Sequence, residues 1–499
     1  MLVTVVSAMT MCLFIYAIWH ILFSALSVCA AHRIGHICSK TGTLFTNSSL
    51  RVAILMPVCD DFDSEAANIV VAYKDKSHDM FILDDSVSEV SRNEIDAWTK
   101  QSTTKVTVVR RPSRVGFKAG NINCWLKHYG REGKYEYIFV LDSDERLSKG
   151  YLQRLLGYAH GKNPAFVQGC HKARPGQSWF EDVLGLAVAT GWHGQLPGRN
   201  LCGVPPILGH GVLLNVADIV SVGGIPEVVS EDLALTIMLA EKGRKGLLCN
   251  EVTAEERFPS NMTIHRQRLQ RYIAADTQVC RRYMPLILFG GMKLGDKADV
   301  LLRETRLPAL AIFFHIALVC AVVAAYHGGS LFSLEGTAIA ASFPLLWSGQ
   351  LPALWVGDYS RKRRISFMLC APFFSCGCFL DYIPSFWRGV LGNLGFQPTN
   401  GHAMKKRGYV RVNLVMDCLV GALLICGGVS GKLLLFIAFG VALISVAWFT
   451  ASDVKWPVAG FLAGTFWMIV LSEVFCCISS GFVPVEDLLL VGGLAAARD

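Results

Sequence analysis

A short apolar run that ends in two carboxylates constrains this chain more than any other stretch. Residues 135–141 are apolar or aromatic apart from one glutamate, and Asp142 and Asp144 follow directly, one residue apart. Such a run predicts a buried strand, and the carboxyl end of a strand is where open α/β sheets bind ligands. Two carboxylates with open positions suit Mg²⁺ or Mn²⁺, because such ions complete their shell with phosphate oxygens and water. A surface turn after a strand is the competing interpretation, since Asp-x-Asp is common.

Charged residues also follow other strand-like runs. Three apolar runs precede the first one and predict further strands, at residues 51–58, 80–83 and 106–109. In a parallel sheet their ends share one edge, so Asp84, Asp85 and Lys118 are expected near the same crevice. Acids and bases together are what a nucleotide-diphosphate site requires. Asp60 and Asp61 fit a solvated loop nearly as well as a binding role.

The chain as a whole is too apolar for a soluble protein. Of its 499 residues, 52% are hydrophobic and only 17% are charged. The run 366–386 contains Pro372, Asp381 and Pro384 and therefore predicts an interfacial helix. The formal net charge is +8, and the lysines and arginines cluster beside apolar segments. This placement indicates membrane topology and phosphate binding and not nucleic-acid binding. Long apolar runs predict membrane-spanning helices at 3–31, 307–327, 335–357, 412–429, 432–450 and 456–479.

Basic residues beside the apolar runs predict the orientation of the chain. Arg33 and Lys40 follow the first run and place the next domain in the cytoplasm. The clusters at 361–364 and 405–407 are both cytoplasmic if 366–386 does not cross. We therefore expect an α/β cytoplasmic domain inserted between transmembrane helices, in a multi-pass protein of the plasma (inner) membrane that contacts lipid. The predicted units are a transmembrane helix at 1–40, the cytoplasmic domain at 41–290, membrane helices with the interfacial helix at 291–411, and C-terminal transmembrane helices at 412–499.

Five short motifs follow one another along the predicted cytoplasmic domain. They are Pro-Val-Cys-Asp-Asp at 57–61, Asp-Asp-Ser at 84–86, Lys-Ala-Gly-Asn-Ile-Asn at 118–123, Asp-Ser-Asp at 142–144 and Ser-Glu-Asp at 230–232. Their order resembles the membrane-bound processive synthases of glycosyltransferase family 2, the group that contains cellulose synthase, hyaluronan synthase and the periplasmic glucan glucosyltransferase. The first motif has Asp where that family has Asn and Glu, and the last has Ser where it has Thr.

Two further motifs of that family are altered here. Its Gln-x-x-Arg-Trp, which lies under the acceptor sugar, resembles residues 268–272 with Arg268 for Gln and Tyr272 for Trp. Tyr272 keeps an aromatic face for stacking. Because Arg268 differs from the family's glutamine, the motif does not indicate which polymer is made or which linkage joins it. The gating-loop motif Phe-x-Val-Thr-x-Lys is recognisable only as Phe-Gln-Pro-Thr at 396–399, with the nearest lysine at Lys405.

The resemblance implies a GT-A fold for the domain at 41–290 and a part in the reaction for each motif. Asp142 and Asp144 would hold Mg²⁺ or Mn²⁺, and Asp232 would be the general base that takes the proton of the acceptor hydroxyl. The UDP-sugar donor would be bound by Asp84, Asp85, Lys118, Asp142 and Arg271. The acceptor would be contacted by Glu231, Arg268, Tyr272 and His210.

Some of these residues have a structural alternative. Glu231 and Asp232 precede a predicted helix, where acids also stabilise the helix dipole. His210, in Leu-Gly-His-Gly, fits a packed loop histidine about as well as a cleft residue.

The leading hypothesis is an inverting, metal-dependent hexosyltransferase that adds glucose from a UDP-sugar to a growing polysaccharide, a β-glucan, and exports it through its own helices. The same hypothesis allows an accessory export subunit as a further partner. The first alternative is a non-processive transferase that acts on a lipid phosphate. The second, from another class, is an inactive sugar-binding or channel subunit. The intact acids at 142, 144 and 232 argue against the second alternative, because an inactive pocket needs no base.

Overall fold

An eight-stranded mixed sheet lies at the centre of the globular part in the computed structural model. The structure describes residues 11–12, 14–27, 29, 50–73, 78–130, 133–160, 162–174, 178–327, 354, 359–392, 394, 407–431, 434–452 and 455–479. The strands are β1 (Val52–Val58), β2 (Asp79–Asp84), β3 (Val106–Val109), β4 (Tyr137–Val140), β5 (Arg146–Leu147), β6 (Phe166–Ala173), β7 (Val212–Asn215) and β8 (Leu247–Glu256). They lie in the order β3-β2-β1-β4-β7-β6-β8-β5.

The first four strands are parallel, so their carboxyl ends meet at one edge. β1 pairs in parallel with β2 and β4, and β2 pairs in parallel with β3. Each of the four apolar runs that predict strands forms one, and the α/β prediction is confirmed. β7 runs antiparallel to β4, and this ends the parallel half next to Asp142.

Both faces of this parallel half are covered. Ile54 and Met56 of β1 pack into one apolar cluster, and Ala53 and Leu55 pack into another on the opposite face. A strand covered on both faces is nearly continuously apolar, which explains why the run shows no alternation with polar residues.

Helices flank the sheet and continue beyond it. The helices are α1 (Phe14–Ser27), α2 (Ser64–Tyr73), α3 (Glu89–Gln101), α4 (Phe117–Trp125), α5 (Tyr151–Ala159), α6 (Trp179–Leu184), α7 (Leu186–Thr190), α8 (Val216–Ser221), α9 (Glu231–Glu241), α10 (Met262–Phe289), α11 (Leu294–Glu304), α12 (Arg306–His327), α13 (Arg361–Gly377), α14 (Phe379–Leu391), α15 (Arg407–Gly431), α16 (Leu434–Ala451) and α17 (Trp456–Ser479). Shorter helical turns lie at Leu126–Gly130, Gly191–Gln195 and Pro197–Asn200.

The C-terminal helices share an apolar core of their own. Phe373 and Phe374 of α13 are fully buried in a cluster with residues of α12, α14, α15, α16 and α17. Trp179 and Phe180 of α6 contact the Phe374 ring at centroid distances of 6.3 and 5.8 Å. Helix α6 therefore packs the sheet domain against these helices.

The length and apolar character of the helices bear on the predicted membrane spans. Within the part of the chain that the structure describes, no helix alone is long and apolar enough to cross a membrane, whereas α13 and α14, bent by 57°, meet that criterion as a pair. The run 366–386, predicted as one interfacial helix, thus forms parts of two helices. Beside the break, Gly377 lies so close to α16 that a Cβ would be 2.2 Å from Val446. The motif at 396–399, Lys405 and nearly all of 335–357 lie outside the described residues.

Candidate active site

Lys118 lies at the centre of the candidate site. Its Nζ donates to Oδ1 of Asp142 at 2.5 Å and to the carbonyl oxygen of Gly209 at 2.8 Å. Gly209 has a φ of +84°, and a Cβ at this position would lie 3.3 Å from Oδ2 of Asp232. One ammonium group therefore joins the strand end that carries Asp142 to the loop that contacts Asp232.

The other residues of the 118–123 motif hold α4 in place. A Cβ at Gly120 would lie 2.1 Å from the carbonyl oxygen of Val115, so the close approach of α4 requires glycine there. Asn121 Nδ2 donates to the carbonyl oxygen of Leu83 at 2.9 Å, next to the end of β2. Asn123 both donates to and accepts from the backbone of Ile225 at 2.8 Å. The two asparagines thus fix Lys118 relative to the sheet edge and to the loop before α9.

Three carboxyl groups crowd the end of β4. Burial raises the pKa of Asp142, but the charges of Lys118 and His210 outweigh it, and the pKa lies below its usual value. Burial raises the pKa of Asp144, and the charge of Asp142 raises it further. Burial also raises the pKa of Asp61, with a further contribution from Asp142. Hard oxygen donors that repel one another at one strand end fit a divalent cation such as Mg²⁺ or Mn²⁺.

Glu231 and Asp232 begin helix α9 on the other side of Lys118. Oδ1 of Asp232 accepts from the amide of Leu233 at 2.9 Å. Burial raises the pKa of Asp232, and burial together with the charge of Asp232 raises the pKa of Glu231 to about 7. A carboxylate whose pKa is raised takes up a proton more readily, which is the property a general base needs.

His210 lies between the carboxylates of Glu145, which is buried, and Glu256, which is partly buried. Its Nδ1 is 3.1 Å from Oε1 of Glu145, and its Nε2 is 3.4 Å from Oε2 of Glu256. Burial alone would lower the pKa of His210, but the charges of Glu145 and Asp142 raise it well above its usual value. These carboxylates therefore favour the charged form of His210, and Oε2 of its partner Glu145 also accepts from the amide of Asp142 at 3.1 Å.

A second group of metal-binding side chains overlaps this ion pair. Glu145, His171 and His210 each offer a ligand atom within 4.8 Å of the others. The two imidazole rings, however, stack at 3.9 Å with an angle of 10° between their planes. Lone pairs in stacked rings point along parallel planes and do not converge on one tetrahedral centre. Burial and the charge of His210 lower the pKa of His171 to about 3, so this cluster fits one charged and one neutral histidine better than a metal centre.

The altered acceptor motif lies on α10 beside this cluster. Arg268 Nε donates to the hydroxyl of Tyr272 at 2.7 Å, and its guanidinium lies 3.8 Å from Glu256. Arg271 lies over the Tyr272 ring at 5.5 Å, and Tyr272 is 38% exposed. The arginine that replaces the family's glutamine is thus balanced by Glu256, the carboxylate that also faces His210.

The acids after β1 and β2 have different partners. Asp84 accepts from Arg110 Nε at 2.6 Å, and Asp85 accepts from Nε and Nη2 of Arg111 at 2.9 and 2.7 Å. Both predicted donor-binding acids are therefore buried and paired with arginine. Asp60 adopts a φ of +60°, and its carboxylate accepts from the amides of residues 87 and 88 at 3.0 and 2.9 Å, which makes it part of a turn.

Sequence reasoning missed several of these residues. Glu145 directly follows the 142–144 motif, and this position was a usable signal. Asp61 was weighed only as a solvated loop residue or a weak binding candidate. His171 in β6 and Glu256 in β8 belong to no short pattern, so only the folded sheet brings them to His210.

The chain matches two family models and several known proteins. The models are those of glycosyl transferase family group 2, over residues 137–357, and of glycosyl transferase family 2, over residues 65–196. A probable glucomannan 4-beta-mannosyltransferase 14 from Arabidopsis thaliana is 24% identical over 201 residues, which cover 38% of this chain and 37% of that protein. A glucans biosynthesis glucosyltransferase H from Ralstonia nicotianae is 31% identical over 131 residues, which cover 23% of this chain and 15% of that protein.

The chain spans less than two fifths of the length of either relative. Among solved structures, S. aureus TarS 1-349 in complex with UDP-GlcNAc matches with a TM-score of 0.32 and 14% identity, over 62% of this chain and 93% of that one, and so low a score carries no argument here. The family models together cover residues 65–357, which include four of the five motifs and the altered motif on α10. The chain belongs to glycosyltransferase family 2.

Proposed function

We propose that this chain is an inverting, metal-dependent hexosyltransferase with a GT-A fold that moves glucose from a UDP-sugar to a growing β-glucan. The observation that carries the proposal is the position of Lys118, which contacts Asp142 and the Gly209 loop against Asp232. It joins a group of metal-binding acids to a candidate base. Relatives named for glucan and glucomannan synthesis support a polysaccharide product.

The donor side of the site consists of cations and acids at the carboxyl edge of the sheet. Asp142 and Asp144 would hold Mg²⁺ or Mn²⁺, which when bound neutralises the diphosphate that leaves the sugar. Lys118 and Arg271 add positive charge that holds the diphosphate in place. Asp84 and Asp85 would accept hydrogen bonds from the nucleoside, in positions that their arginines fix.

The acceptor side consists of α9 and α10. Asp232 takes the proton of the attacking hydroxyl, and the attack from the face opposite the leaving group inverts the sugar carbon. Glu231 lies next to it and shares the proton equilibrium. Tyr272 offers a partly exposed ring for stacking on the acceptor sugar, and Arg268 and His210 line the same side.

We place the helical part in the plasma (inner) membrane, with the sheet domain in the cytoplasm. Helix α14 supports this because it exposes the large apolar side chains of Trp387 and Leu391. Such side chains suit a membrane interface, where tryptophan is enriched. An impermeant cysteine reagent should label a cysteine at position 405 only after the cells are opened. Labelling from outside intact cells would instead make α13 and α14 a span and overturn this orientation.

Mass spectrometry of the product tests the function itself. Purified protein would be incubated with Mg²⁺ or Mn²⁺ and a panel of UDP-sugars, with a GDP-sugar for comparison. We expect UDP-glucose to be consumed and a ladder of products spaced by one hexose to form. One sugar on a lipid phosphate would establish the non-processive alternative. Donor binding with no product in any reaction would establish the inactive subunit.

A further inference from the structure

Helix α10 has two polar faces with different surroundings. Arg268 and Tyr272 contact each other on the face toward Glu256 and the candidate site. Arg266 and Gln270, one turn apart, are buried on another face, with 5% and 9% exposure. Residues four apart share a helix face, whereas residues two apart lie on nearly opposite sides. The same helix α10 therefore connects the acceptor motif to the residues that bind Arg266.

Arg266 is held by carboxylates from two other helices. Its Nε and Nη2 donate to Asp381 of α14 at 2.8 and 3.2 Å, and its Nη1 donates to Asp417 of α15 at 2.6 Å. Gln270 Nε2 donates to the same Asp381 at 2.6 Å. The side chains of the three charged residues are at most 6% exposed. The guanidinium fork thus binds both partners at once, in a geometry that a lysine cannot reproduce.

Stability alone explains such a cluster poorly. Burying ions costs desolvation, and replacing a buried ion cluster by apolar residues of similar volume is often neutral or stabilising. One arginine between two aspartates also leaves an excess of negative charge. The best-attested use of buried charges is to select one register among several. A second contact fixes the same register, since a Cβ at Gly389 of α14 would lie 2.4 Å from the carbonyl oxygen of Ala274 in α10.

We propose that Arg266 is a positioning residue that sets the register of α10 against α14 and α15 and so holds Arg268 and Tyr272 in place under the acceptor. This inference rests on the proposed function, because the acceptor is the growing chain. Its consequence is that the cluster affects retention and elongation of the acceptor more than donor binding, since Arg271 is the one proposed donor-side residue on α10 and those at 84, 85, 118 and 142 lie at the sheet edge.

The test removes all three charges at similar volume, in the variant Arg266→Met, Asp381→Leu, Asp417→Leu. We expect its thermal unfolding midpoint to stay close to that of the parent and its affinity for UDP, which depends on α10 only through Arg271, to change by a smaller factor than the KM for the acceptor. The KM for an added oligosaccharide acceptor should rise roughly 3- to 30-fold, as expected for lost coupling between sites, and the products should become shorter. Arg266→Lys, which keeps a charge but not the fork, should show the same direction of change. A folded triple variant with parental acceptor KM and product length would overturn the inference.

The matched control removes an ion pair away from α10, by Arg154→Met with Glu251→Leu. This pair, at 2.9 Å and about one quarter exposed, joins α5 to β8. The control should keep the parental acceptor KM, and an equal loss in the control would also overturn the inference. Amide hydrogen exchange in residues 262–289 provides a readout besides activity. We expect faster exchange there in the triple variant only, even if the parent forms no polymer and the proposed function fails.

Discussion

The acids after β2 and the acids after β4 occupy equivalent places at one sheet edge but have opposite surroundings. Asp84 pairs with Arg110, which also pairs with Asp96. Asp85 pairs with Arg111 in a contact that is almost fully buried. Asp142 is 42% exposed on its side chain and shares Lys118 with the rest of the site. A carboxylate paired with a guanidinium fixes a loop, whereas carboxyl groups that crowd and repel one another keep the capacity to bind a cation. Position at the sheet edge therefore does not define a metal ligand, and the partners do.

The largest effect on transfer is expected for the acids after β4. Asp142→Asn or Asp144→Asn should lower transfer by roughly 10³-fold or more and remove its dependence on Mg²⁺ or Mn²⁺, because a charged ligand is lost. Product formation at several metal concentrations measures this. Glu89→Gln, at an exposed acid at the start of α3, is the control and should behave as the parent. Near-normal turnover in either site variant would remove the contrast between the acids after β2 and the acids after β4.

The next largest effect is expected on the other side of Lys118. Asp232→Asn should lower transfer by roughly 10² to 10⁴-fold, because the amide keeps the shape but cannot act as a base. Calorimetric titration of the UDP-sugar should give nearly the parental affinity. Donor binding lost in parallel with transfer would assign Asp232 to the donor site, and an active variant would place the base elsewhere.

The pH profile sharpens the comparison through Glu231. A carboxyl with a raised pKa keeps its proton to higher pH, so transfer should fall as the pH drops below about 7. Glu231→Gln removes one carboxyl of the pair, and the acid limb of kcat/KM should therefore move to lower pH by about one unit. Glu89→Gln, an exposed acid at the start of α3, is the control. An acid limb that stays in place would show that the pair does not govern the profile.

The smallest effect on transfer is expected for the acids after β2, which pair with arginine. Asp85→Asn leaves Arg111 buried without its charge partner, so the free energy of unfolding should fall by about 3–5 kcal/mol. In the fraction that stays folded, kcat should remain within about threefold of the parent, and any loss should appear in the KM for the donor. Denaturant unfolding together with steady-state kinetics measures both. A kcat loss as large as that of Asp142→Asn would make the two ends equivalent.

Local patterns predicted the strands of the parallel half and the edge at which their acids meet. The run 135–141 yields β4 because a strand buried on both faces is continuously apolar, and this can be read from adjacent residues. Contacts between distant residues could not be predicted in this way. Lys118 and Gly209 are 91 positions apart, and no local pattern connects them. The charge of His210 depends mainly on Glu145 and Asp142, and Glu256 of β8, far along the chain, adds to it.

The central claim is that the acids around Lys118 form a metal-dependent donor site and the paired acids do not. Calorimetric titration of UDP, with and without Mn²⁺, into the parent, Asp142→Asn and Asp85→Asn proteins tests this most directly. We predict that Mn²⁺ tightens UDP binding by at least about tenfold in the parent and in Asp85→Asn, and that this gain disappears in Asp142→Asn. UDP affinity that is independent of Mn²⁺ in the parent, or a gain lost equally in both variants, would contradict the account.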